Sequence, residues 1–128
     1  MKDLRSPLAK VKGLGTSPDA THHFWLQRLT ALALIPLTFW FCFSIALLPN
    51  SNYADVISWL QTPFNAVMMI LVVLISFQHT HLGLQVIIED YIAHPAYRLV
   101  AILTIKFISY FMMVLGVYSI IKITLGEA

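Results

Sequence analysis

Residues Leu29 to Leu48 form a run of about 20 residues that carries no charged side chain. Wound as a helix at 1.5 Å per residue, such a run is about 30 Å long, the thickness of a bilayer's hydrocarbon core. Backbone amides and carbonyls find no water there, so the run has to be helical, and Pro36 within it is tolerated as a kink. A second apolar stretch begins at Phe64. Its uninterrupted part, Asn65 to Phe77, is too short to span alone, so the helix must continue to about Tyr91. That continuation carries Gln78, His79, Thr80, His81 and Gln85 into the membrane. A third stretch has Lys106 near its start and Lys122 near its end, both able to snorkel towards headgroups.

The expected fold is therefore all-α and integral to the membrane, with spans at about 26–48, 64–91 and 97–125. The spans make up an anchor domain of 22–128, preceded by an arm of 1–21. Only 11% of the 128 residues are charged and 59% are hydrophobic, against about 25% charged in ordinary globular domains. Three spans consume more than half the chain and leave no room for a soluble catalytic domain, so the chain by itself is expected to be catalytically inert. The first 25 residues hold charges and prolines but no apolar segment of signal-peptide type. Ser6-Pro7 and Ser17-Pro18 read as breakers in an extended arm, with Thr21 capping the first long helix. The segment from Pro49 to Pro63 reads as a polar loop, its Tyr53 and Trp59 suited to the headgroup level. Cys42 has no intrachain disulfide partner and reads as a small buried hydrophobe. Gly116 offers a place for close helix packing.

Basic residues set the expected orientation. Lys2, Arg5, Lys10, Lys12 and Arg28 precede or open the first span, the first loop carries none, and the second loop carries Arg98. The positive-inside rule puts the N-terminus and second loop on the cytoplasmic or matrix side and the C-terminus opposite. Four scattered charges before a span are explained by topology, and nucleic acid is not an expected partner.

Polar side chains in hydrocarbon mark function or a helix contact. At about 100° per residue, His79 and His81 point to nearly opposite faces. Gly83 lies one turn from His79 on the same face and leaves space beside it. Asp90 returns to that face about 16 Å further on, next to Tyr91. An imidazole at such depth can ligate haem iron, join a proton relay, or hydrogen-bond across helices. For His81 the interhelical contact is the simpler reading. Asp90 and Tyr91 also suit interfacial anchoring, and Arg28, His22 and His23 suit headgroup binding, on the same side of the membrane.

The run HTHLGLQVIIEDYI, His79 to Ile92, resembles the second-helix signature of the smaller of the two hydrophobic membrane anchors of succinate dehydrogenase, complex II. The shared pattern is a histidine, a glycine four residues on, and an Asp-Tyr pair at eleven and twelve. The stretch HHFWLQRLTA is similar to the family's approach to its first helix, which ends Arg-x-Thr-Ala, here Arg28, Thr30 and Ala31. It lacks the His-Arg pair of the larger anchor.

The resemblance implies His79 as an axial ligand of haem b, shared with a histidine of the larger anchor, with Gly83 beside it. Arg28 would stand near the haem propionates or the quinone pocket. Tyr91 would donate a hydrogen bond to ubiquinone, supported by Asp90. The roles of His22 and His23 vary among relatives, and His81 departs from relatives with an aromatic residue there, creating a competing candidate ligand. The implied partners are the larger anchor, the iron-sulfur subunit and the flavoprotein subunit, besides membrane lipid. The implied location is a bacterial cytoplasmic or mitochondrial inner membrane, where the chain would help carry electrons to ubiquinone. Two other readings compete on the residues alone, a non-redox three-span scaffold or assembly protein and a proton-relay transporter subunit.

Overall fold

The computed structural model describes residues 6–11, 18–48 and 52–126. They form five helices and, among the described residues, no strand: α1 Pro7–Val11, α2 Pro18–Ala46, α3 Tyr53–Gln61, α4 Pro63–Tyr91 and α5 Pro95–Thr124. Within α2, the 26 residues Thr21–Ala46 are long and apolar enough to cross a membrane, as are the 29 of α4 and the 30 of α5. Pro18, Pro63 and Pro95 each open a long helix. Proline suits that position because its missing N–H would have had no partner and its φ is already helical. The first long helix therefore starts at Pro18 rather than after Thr21, and α2 runs unbroken through Pro36.

Two segments differ from the expectation set by the sequence. Part of the arm expected to be extended is the short helix α1, while residues 1–5 and 12–17 of that arm lie outside the described residues. The expected first loop contains α3. Asn52 caps it, its side-chain oxygen accepting from the Asp55 amide at 2.8 Å. Its apolar Leu60 is buried with Ala66 of α4 and Ile120 of α5, flanked by Trp59, Ile70 and Val73. A nine-residue helix is marginal on its own and holds here by packing an apolar face on α4 and α5. Thr62 alone separates α3 from α4, and Asn65 closes the corner by donating to the Trp59 carbonyl at 2.8 Å.

The three long helices run antiparallel in sequence order. α4 is central and packs on both α2 and α5, whose backbones do not approach each other. At the α3 end, Trp40 of α2 stacks on Trp59 with ring centroids 5.8 Å apart. At the other end, three residues join α4 to α5, and Arg98 Nε donates to the Ile92 carbonyl at 2.9 Å across that turn.

The packed interior is thin. Leu37, Leu82 and Ile88 are buried, while Phe39, Phe43, Phe107, Phe111 and Val114 face outward. Such surface is untenable in water and ordinary against lipid or other apolar helices. Cys42 is also exposed, on the outward side of α2, and not buried as its apolar setting in the sequence suggests. With so few side chains between helices, close backbone approach carries the packing. A Cβ added at Gly116 would meet Val73 Cγ1 at 3.1 Å. Gly116→Leu is thus expected to force α5 off α4 and destabilise by about 1–3 kcal/mol. A thermal melt of the assembled protein would read this, with Gly116→Ala close to wild type.

Candidate functional site

Position 79 is the point at which α2 and α4 exchange a polar contact. Thr30 Oγ1 stands 3.0 Å from His79 Nδ1. The same oxygen is 2.8 Å from the Leu26 carbonyl one turn back in α2. A hydroxyl has a single hydrogen, and donated to Leu26 it leaves the oxygen's lone pairs to accept from an Nδ1–H. With the hydroxyl so donated, Nδ1 carries the proton and Nε2 keeps its lone pair, one of the two tautomers the contact admits. That is the state of an imidazole prepared to bind a metal, since ligating histidines nearly always donate their other nitrogen to a neighbour.

A groove of ≈ 270 Å³ opens beside this ring, lined by Phe24, Gln27, Arg28, Ala31 and His79. The Arg28 guanidinium lies over the Phe24 ring, 5.1 Å from its centroid, which holds the charge near the groove with no acidic partner among the described residues. At Gly83, one turn along α4 from His79, an added Cβ would meet nothing within 4 Å. A flat ligand on Nε2 would therefore find open space at that glycine. The donor set fits haem: one imidazole with its far nitrogen anchored, open space a turn away, and an arginine for an anionic edge.

The remaining candidates separate by position. His81 is 5% exposed and faces away from His79, its ring 5.7 Å from that of Tyr110 on α5. His22 and His23 line a cavity with His81 and do not join the His79 groove. Asp90 and Tyr91 end α4, and Tyr91 is 85% exposed. Neither side chain has a hydrogen-bond partner among the described residues. Arg28 is therefore grouped with His79 and not with this pair. Thr30, matched above only as part of a motif, contacts His79. Its sequence signal was its place two residues after Arg28, with no way to know that it would meet His79.

These features define a class: a small helical membrane subunit with a histidine contacted across two of its long apolar helices and most of its apolar surface exposed. The model of the succinate dehydrogenase/fumarate reductase transmembrane subunits matches residues 2–120, and the chain belongs to that family. It is 34% identical over 107 residues to the succinate dehydrogenase hydrophobic membrane anchor subunit of Rickettsia bellii, covering 84% of this chain and 86% of the relative. It is 25% identical over 121 residues to that of Paracoccus denitrificans, covering 94% and 93%. The corresponding membrane anchor subunit of Reclinomonas americana is 31% identical over 90 residues, covering 68% and 75%. No solved structure matched the chain. The protein is thus a multi-pass membrane anchor of succinate dehydrogenase, in a bacterial or mitochondrial inner membrane.

Removing the Thr30 hydroxyl tests the reading of the His79 ring. Thr30→Val should weaken any metal group held by His79 by about 10- to 100-fold, whereas Thr30→Ser should retain it. Metal-group content per purified complex, measured through graded denaturant, distinguishes the two.

Proposed function

We propose that this chain is the smaller of the complex's two membrane anchors, and that it helps bind haem b and ubiquinone in succinate:ubiquinone oxidoreductase. The observation that carries the haem half is the His79–Thr30 contact at 3.0 Å beside the open space at Gly83. The resemblance of the His79–Ile92 run carries the quinone half.

In this reading His79 would hold haem through its Nε2, together with a histidine of the larger anchor. Thr30 holds the ring's orientation through Nδ1. Arg28 offers its guanidinium to a propionate, as a planar fork suits a carboxylate. When bound, haem b supplies a one-electron store within the membrane.

The chain's remaining work is at the quinone. Ubiquinone takes up two electrons and two protons, the electrons arriving from succinate through the flavoprotein and iron-sulfur subunits. Tyr91 donates its phenolic hydrogen to a quinone carbonyl oxygen, which polarises that carbonyl and positions the ring. Its exposure at the end of α4 leaves the hydroxyl reachable from outside this chain. Asp90, adjacent and equally free, orients the site and relays a proton from the aqueous side. By itself the chain performs no reaction.

Orientation belongs to the same proposal. The start of α2 and the turn between α4 and α5 share one end, which carries Arg28 and Arg98, and the four basic residues of 1–21 precede that end in the sequence. The other end has α3 and no lysine or arginine before Pro63. The positive-inside rule then sets the arm and the turn on the cytoplasmic or matrix side, with residues 22–128 as the anchor and the C-terminus opposite.

Tyr91→Phe deletes one hydrogen bond and is expected to lower quinone-reductase kcat/KM by about tenfold. Succinate oxidation with a soluble dye as acceptor should be unchanged. Equal loss in both assays would place the defect in assembly, and no loss in either would remove Tyr91 from the quinone site.

A further inference from the structure

The face of α4 that turns away from His79 borders a second space, and no haem or quinone role accounts for its chemistry. A cavity of ≈ 330 Å³ is lined by His22, His23 and Leu26 of α2, Gln78, His81, Leu82 and Gln85 of α4, and Lys106 and Tyr110 of α5. Its polar groups are nearly all hydrogen-bond donors or bases, and no carboxylate lines it. The acid nearest in sequence, Glu89, accepts from Gln85 Nε2 at 2.8 Å. His23 Nε2 is buried with no hydrogen-bond partner among the described residues. Lys106 lies eleven residues into α5, about 16 Å from its start. A lysine at that depth lies farther in than its place near the start of the apolar stretch implied. It is costly in hydrocarbon unless it snorkels to the headgroups or an anion or water meets its ammonium.

A second pocket adjoins the first and shares Lys106 and Tyr110 with it. It is an apolar groove of ≈ 140 Å³ on the outer side of α5, completed by Leu103 and Phe107. From Leu103 to Tyr110 the groove descends about 10 Å along the helix towards the middle of the span. Of the polar cavity's lining, His22 and Gln85 lie nearest the end where α2 begins and α4 finishes. The polar cavity and the apolar groove thus meet at Lys106 and Tyr110, which line both.

We propose that this pair of pockets binds one anionic phospholipid, its phosphodiester in the His22–His23–Lys106 cavity and an acyl chain along Leu103 and Phe107. Basic pockets between transmembrane helices are suited to anionic headgroups. Here the cationic, carboxylate-free lining selects the charge, and the adjoining groove selects a lipid over a free anion. The lipid ties α2 to α5, whose backbones do not otherwise approach each other. The cavity shares no lining residue with the His79 groove, and its readout, bound lipid, is separate from haem content and quinone reduction.

The test uses the intact complex, stripped of lipid in detergent and re-equilibrated with phosphatidylglycerol or phosphatidylcholine, with bound lipid counted by native mass spectrometry. One tightly held phosphatidylglycerol per copy of this chain is expected, with phosphatidylcholine exchanging freely. Lys106→Gln should weaken retention about tenfold, and Lys106→Arg should preserve it, which separates charge from folding. Equal retention of the two lipids would overturn the proposal, as would unaltered retention in Lys106→Gln. Displacement of phosphatidylglycerol by millimolar inorganic phosphate would overturn the lipid assignment, because a free anion would then suffice.

Discussion

In hydrocarbon a polar side chain must find its partner within the protein, and α4 carries five in close succession, Gln78, His79, Thr80, His81 and Gln85. Their placement governs how the helices assemble. Because His79 and His81 project in nearly opposite directions, α4 needs polar company on both sides and becomes the central helix. Thr30 of α2 meets His79, and Tyr110 of α5 stands against His81. The neighbours of α4 are thereby fixed by two histidines more than by its leucines and valines, which have as much affinity for lipid as for one another.

The same arrangement divides the chain's chemistry between two compartments. On the His79 side are Thr30, Arg28 and the space at Gly83; on the His81 side are His22, His23, Gln78, Gln85 and Lys106. One helix in this way presents one polar face to the His79 groove and another to the His81 cavity. Most of the remaining surface is apolar and outward, as expected for a subunit whose packing is completed by other chains and by the bilayer.

Much of this was legible in the residues. Charge-free runs announce spans because hydrocarbon tolerates so little else, and the helical period alone separates His79 from His81. What escaped was decided by contacts between distant positions. The polar composition of Pro49 to Pro63 conceals α3, whose stability comes from Leu60 and Trp59 packing on other helices; Asn52 with Asp55 three residues later was its one local signal. Pro18 reads equally as a breaker or as the first residue of a helix, and here it is the latter. Cys42 sits in an apolar run, but the thin interior leaves it outward, since hydrophobicity in a membrane chain does not imply burial. The role of Thr30 depends on a partner 49 residues away.

The central claim is that His79, oriented by Thr30, is a haem ligand. It is tested most directly by a dithionite-reduced minus oxidised absorption spectrum of the purified native complex, wild type beside His79→Ala. The account predicts a b-type haem band in the wild type that is lost or displaced in the variant, while succinate oxidation with a soluble acceptor persists. An unchanged band in His79→Ala would assign the ligand to His81 or another chain, and a wild type without any such band would contradict the haem role altogether.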